Sequence, residues 1–121
     1  MKIFLDTADQ WAIKDYFETG LIDGVTTNPT LIMKSHKDPD DVYQAIKDIG
    51  VPDISMEVVG DADEMIQEGY RLFEKFGLCT TIKVPMTRDG LKACRVLSDH
   101  GINVNVTLIF SAAQAVLAAR A

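Results

Sequence analysis

The sequence predicts an α/β fold of parallel strands joined by helices, forming a single domain over residues 1–121. Three observations predict it. Short strand-like runs alternate with longer helical runs five times, as parallel βα units require. Within most strand runs, polar and apolar residues alternate one by one. The polar members gather toward the C-terminal ends of the strands.

The first strand is read in KIFLD (2–6), followed by a helix over about 9–19 that ends near Gly20. GVTTNP (24–29) gives the second strand, followed by a loop containing SHKDPDD. Val42, Ala45, Ile46 and Ile49 then keep helical spacing. DISMEVV (53–59) is the third strand. The helix after it, Asp61 to Phe76, is the clearest in the chain: Ala62, Ile66, Gly69, Phe73 and Phe76 form a stripe, and Gly77 supplies the stop. TTIKVP (80–85) is the fourth strand and leads to a helix near 88–100 with Leu91, Cys94 and Leu97 on one face. INVNVTLIF (102–110) is the fifth strand, and SAAQAVLAARA the last helix.

Five βα units suit either an open doubly wound sheet or part of a (β/α)8 TIM barrel. Central strands of an open sheet are covered on both faces and read as continuous apolar runs. Here Met56 and Val58 alternate with Ser55 and Glu57, Ile82 and Val84 with Thr81 and Lys83, and Val104, Val106 and Leu108 with Asn103, Asn105 and Thr107. Ile3 and Leu5 likewise alternate with Phe4 and Asp6, and Thr26 and Asn28 take the polar phase of the second strand. Helices over the apolar faces and a polar upper interior make a barrel, the fold whose active sites lie at that end. The expectation is a partial barrel, five of eight units.

Composition narrows the function. At 47% hydrophobic and 25% charged residues, the chain is globular in character. A net charge of −6, with no basic block or basic helix, argues against nucleic-acid or anionic-membrane partners. Cys79 and Cys94 lack metal-ligand spacing and read as reduced thiols. With no signal-like or membrane-length apolar run, the expected location is the cytoplasm.

Lys83, inside a run that otherwise reads as a buried strand, requires a partner or a task. Burial disfavours a charged amine, and a neutral amine attacks carbonyls to form a Schiff base. The protonated imine is an electron sink beside which a carbon–carbon bond can break or form. Asp6 and Glu57 are available to move protons, and Asn28, Asn105 and Thr107 to hold sugar hydroxyls. Plainer readings stand beside these. Lys83 and Glu57 suit a structural ion pair, Asp6, Thr7 and Asp9 suit a helix cap, and the Asn28–Pro29 step is a common turn device. His36 in a polar loop and His100 near a helix end receive no catalytic role.

Taken in order, FLDTAD, GVTTNPTLI, SMEVVGDADEMI, IKVPMTRDGLKA and GINVNVTLIFSAAQA resemble the transaldolase family, including its short subfamily with the fructose 6-phosphate aldolases. The resemblance runs through nearly the whole chain. It implies a class I aldolase-like barrel that works without a metal or other cofactor. Lys83 would be the Schiff-base lysine, Asp6 the proton-transfer aspartate, and Glu57 the carboxylate that works with a water and Thr107. Asn28 and Asn105 would position substrate, with Thr26 and Ser55 beside them. The implied reaction moves a dihydroxyacetone unit between sugar phosphates of the fructose 6-phosphate and erythrose 4-phosphate class, in the pentose phosphate pathway. Glu57 favours transaldolase over fructose 6-phosphate aldolase, where the resemblance leads one to expect glutamine.

One departure accompanies the resemblance. The family barrel has eight strands, and its phosphate-binding Ser and Arg fall beyond Ala121, with no match here. The unpaired edges of the first and fifth strands lead to an expected homo-oligomer that closes the open barrel. A non-catalytic, self-associating or sugar-phosphate-binding remnant is one alternative, and a fructose 6-phosphate aldolase is the other. A signalling receiver, also of five βα units, fits poorly, since its lysine belongs at the fifth strand and not the fourth.

Overall fold

The computed structural model describes residues 1–121. Its strands are β1 (Phe4–Asp6), β2 (Gly24–Thr26), β3 (Ile54–Glu57), β4 (Thr80–Pro85) and β5 (Asn103–Thr107). The helices are α1 (Gln10–Phe17), α2 (Pro29–Lys34), α3 (Pro39–Ile49), α4 (Ala62–Phe76), α5 (Arg88–Asp99) and α6 (Ala112–Arg120). All neighbouring strands pair in parallel, in the order β1-β2-β3-β4-β5. Consecutive order is that of a barrel arc; the open receiver-type sheet has its first two strands exchanged. The chain therefore forms five βα units of a partial TIM barrel, as the strand alternation predicts.

The apolar phase of the strands faces the helices. Ile54, Met56, Val58, Ile82 and Val84 are at most 2% exposed and belong to one cluster with Met65, Leu72 and Phe76 of α4 and Ala93 and Leu97 of α5. Tyr43 of α3 meets Phe76 edge to face, with ring centroids 5.8 Å apart. Burying each such side chain contributes about 1.5–3 kcal/mol. Helix α4 begins at a reciprocal cap, Asp61 and Glu64 each accepting the other's main-chain N–H at 2.9 Å. Its buried stripe is Met65, Gly69, Leu72 and Phe76, rotated from the stripe expected from sequence. Ile66 and Phe73 flank this stripe, half-buried against the core. Both stripes have helical spacing, and which residue becomes the centre depends on where β4 and α5 lie beneath the helix.

Close approaches fix two glycines. A side chain at Gly24 would collide with the Phe4 ring and the Asp53 carbonyl. One at Gly90 would run into the Pro85 carbonyl, so the first turn of α5 rests directly on the end of β4.

Several boundaries differ from expectation. Strand β1 starts at Phe4, because Ile3 N–H is taken by the Asp23 carboxylate at 2.6 Å. Strand β2 stops at Thr26, so Asn28 does not share its phase: its Oδ1 accepts from Leu31 N–H at 2.9 Å and caps α2, with Pro29 in the first turn. The segment read as loop thus contains a helix. Strand β5 stops at Thr107 because Leu108 adopts a left-handed backbone, φ 64°, and both Leu108 and Phe110 are exposed. No helix is long and apolar enough to cross a membrane.

Candidate active site

The polar phase of the sheet forms two lateral rows. In the first, Asp6, Thr26 and Ser55 are register partners on β1, β2 and β3. Thr26 Oγ1 donates to Asp6 Oδ1 at 2.8 Å, so Asp6 is held by the neighbouring strand, and Asp9 alone caps α1 through Trp11 and Ala12. In the second row, Glu57, Lys83 and Asn105 are register partners on β3, β4 and β5. Asn105 Nδ2 donates to Ser55 Oγ at 3.2 Å, joining the two rows across β4. A cleft of about 410 Å³ lies against this face, lined by Phe4, Thr26, Asp53, Ser55, Thr81, Val104 and Asn105. Thr81 Oγ1 donates to Asp53 Oδ1 at 2.7 Å on the same face.

Lys83 stands in the second row with a side chain 11% exposed. Its Nζ lies 3.1 Å from Glu57 Oε2 and donates to the Thr27 carbonyl, also at 3.1 Å. The buried amine thus hydrogen-bonds one main-chain carbonyl and forms an ion pair with one carboxylate. Parallel pairing explains the arrangement: Glu57 and Lys83 sit opposite each other, and side chains opposite in register share a face. The Lys83 carbonyl accepts from Val58 N–H at 3.0 Å, which continues the ladder past Glu57 and fixes the lysine backbone.

Six of the eight candidate residues are therefore brought together: Asp6, Thr26, Ser55, Glu57, Lys83 and Asn105. Thr107 is the next residue in phase after Asn105, opposite Pro85 at the end of β5. Asn28 has its side-chain oxygen committed to the α2 cap, which leaves its amide N–H groups for other bonds. Thr27 is the participant that sequence reading missed. It contributes a main-chain carbonyl, and that group has no residue-type signature. The only available signal was its position between two candidates, Thr26 and Asn28.

Outside this face, Cys79 and Cys94 are free, and burial pushes both thiols upward from their ordinary range. His100 Nδ1 lies 2.8 Å from the Val96 carbonyl, and its ring meets Tyr70 edge to face at 5.5 Å. These contacts are structural.

The comparisons with known proteins agree with this architecture. A family model described as Transaldolase/Fructose-6-phosphate aldolase matches residues 3–121. A probable transaldolase of Paracoccus denitrificans (strain Pd 1222) is 54% identical over 100% of this chain, which covers 56% of that relative. A probable transaldolase of Nitrosopumilus maritimus (strain SCM1) is 52% identical over 99% of the chain and 54% of the relative. One from Jannaschia sp. (strain CCS1) is 54% identical, with 100% and 56% coverage. The chain spans about half the length of the curated relatives it matches.

Proposed function

The chain belongs to the transaldolase/fructose-6-phosphate aldolase family, and from that premise we propose that it carries the Schiff-base half of a dihydroxyacetone transfer between sugar phosphates. Lys83 is the nucleophile. Its nitrogen lone pair forms a bond to the ketose carbonyl carbon, the carbonyl oxygen takes up protons and leaves as water, and a protonated imine remains. Removal of the proton from the hydroxyl on the carbon β to the imine carbon then turns that carbon into an aldehyde and breaks its bond to the α carbon. The bonding pair flows into the imine as an enamine, and an aldose phosphate departs. The enamine adds to a second aldose phosphate, and water hydrolyses the product from Lys83.

Asp6 takes the hydroxyl proton in this scheme. Glu57 moves protons to and from the departing and entering water, together with Thr107. Asn105 and Asn28 orient the sugar hydroxyls, with Thr26 fixing Asp6 and Ser55 fixing Asn105. The observation that carries the reading is the buried Lys83 amine held between Glu57 and a main-chain carbonyl on the polar face of the sheet. Glutamate at position 57 favours transfer over simple aldol cleavage. The reaction belongs to the cytoplasmic pentose phosphate pathway and takes donors and acceptors of the fructose 6-phosphate and erythrose 4-phosphate class. The free outer edges of β1 and β5, and exposed Leu108, Phe110, Val116 and Leu117, support association of copies that covers the open side of the arc.

The test is borohydride reduction in the presence of fructose 6-phosphate, read by intact mass. A dihydroxyacetone-sized adduct that is absent from Lys83→Ala supports the reading. Folded protein without an adduct rejects it.

A further inference from the structure

We propose that Thr27 is a positioning residue for Lys83: its main-chain carbonyl, clamped to β3, sets the direction in which the amine presents its lone pair. The inference rests on the reading of Lys83 as the imine-forming lysine.

A neutral lysine nitrogen is tetrahedral, with Cε, two hydrogens and one lone pair. Both polar partners of Lys83 Nζ are acceptors only, the Glu57 carboxylate and the Thr27 carbonyl, each at 3.1 Å. The Thr27 carbonyl takes one hydrogen in a hydrogen bond, and the negative Glu57 carboxylate, an ion-pair contact, repels the lone pair, which takes the direction away from both. With one acceptor, rotation about Cδ–Cε and Cε–Nζ would leave the lone pair several staggered positions. With one hydrogen-bonded acceptor and one fixed negative charge, the choice narrows to the direction away from both. Attack on a carbonyl depends on that alignment.

The Thr27 carbonyl can act this way because the residue cannot turn. Thr27 is fully buried and lies just past Thr26, the last paired residue of β2. Its N–H and its Oγ1 both donate to the Ser55 carbonyl, at 3.1 and 3.0 Å. One oxygen of β3 thus grips the main chain and the side chain of Thr27 at once. Glu57 lies two residues further along the same strand, so both acceptors of the amine are referenced to β3. Without the hydroxyl, the peptide after Thr27 is held by the main-chain bond alone where the chain turns into Asn28 and α2.

The experiment compares the wild-type chain, Thr27→Val and Thr27→Ser as they react with dihydroxyacetone phosphate under cyanoborohydride, following adduct growth by intact mass. Thermal unfolding supplies the folded fraction of each. Thr27→Val keeps the shape and loses the hydroxyl; at saturating donor its trapping rate per folded molecule should fall about tenfold, with half-saturation unchanged within about twofold. Thr27→Ser should restore the wild-type rate. A Thr27→Val rate equal to wild type overturns the proposal, as does a Thr27→Ser rate as low as that of Thr27→Val. Should Thr27→Val fail to fold, Thr27→Ala takes its place with the same expected loss. A wild-type chain that forms no adduct removes the Lys83 reading and this inference together, whereas a wild-type adduct with no effect of Thr27→Val removes this inference only.

Discussion

Breaking the Lys83–Glu57 pair from either side should cost far more stability than removing both charges together. At 3.1 Å the pair attracts by about 5 kcal/mol at an effective dielectric near 20. Desolvation of two charges offsets most of that, so the pair as a whole contributes little. A single substitution leaves one charge behind. Lys83→Met strands the Glu57 carboxylate, whose side chain is 18% exposed, and Glu57→Gln strands an ammonium that is 11% exposed and keeps only neutral acceptors. Leaving a buried charge unpaired costs about 3–5 kcal/mol, and the remaining access to water puts these variants near the lower end, about 3 kcal/mol each. The double variant should lie within about 1 kcal/mol of wild type, a coupling of about 5 kcal/mol. Urea unfolding of the four proteins measures the cycle. A double variant that loses as much as the sum of the singles refutes the reasoning. It would mean that the two side chains do not act as an energetic pair despite the 3.1 Å contact.

Four further outcomes are expected. The guanidinium of Arg71 beside Asp40, with Lys75 adding to it, holds the Asp40 carboxyl down from 3.8 to about 2. A lowered carboxylate pKa adds stability that is complete above 3.8 and fades as pH falls through 2. Because both cations are nearly half exposed, Asp40→Asn should cost about 1 kcal/mol at pH 7, and urea midpoints of the two proteins should converge at the acid end. Thr80→Val should stabilise by about 1 kcal/mol in the same assay, since Thr80 Oγ1 is buried without a hydrogen-bond partner. Gly90→Ala should destabilise by about 1–3 kcal/mol, because the added methyl meets the Pro85 carbonyl at the end of the lysine's own strand. Thr26→Val removes the 2.8 Å bond to Asp6 and should slow release of the aldose fragment in a coupled assay while leaving imine trapping intact.

The fold was legible where one physical signal dominated. Alternation in β3 and β4 separated Ser55, Glu57 and Lys83 from Met56, Ile82 and Val84, and the structure places these sets on opposite faces. Strand order followed from the same alternation, since a polar face excludes a sheet covered on both sides. The candidate cluster was largely legible too, because parallel register carries residues of equal phase to one face. What sequence could not supply were local competitions. Asn28 continued the polar phase of β2 on paper, but its side chain satisfies an open N–H of α2, and an Asn–Pro step serves a helix start as well as a turn. Leu108 continued the apolar phase of β5, but its left-handed backbone ends the strand at Thr107, three residues before Phe110. The role of Thr27 was invisible, since a carbonyl belongs to every residue and only geometry selects one.

The most direct measurement of the central claim is the location of the trapped adduct. The chain has eight lysines: Lys83 stands in the polar rows, Lys2 reaches Asp53 at the edge of the cleft with its amine 3.8 Å away, and the other six lie on helices or loops. Protein reduced with cyanoborohydride in the presence of dihydroxyacetone phosphate would be digested and its peptides sequenced by mass spectrometry. The account predicts one modified peptide, carrying the three-carbon unit on Lys83. Modification spread over the surface lysines, with Lys83 no richer than the rest, would contradict it.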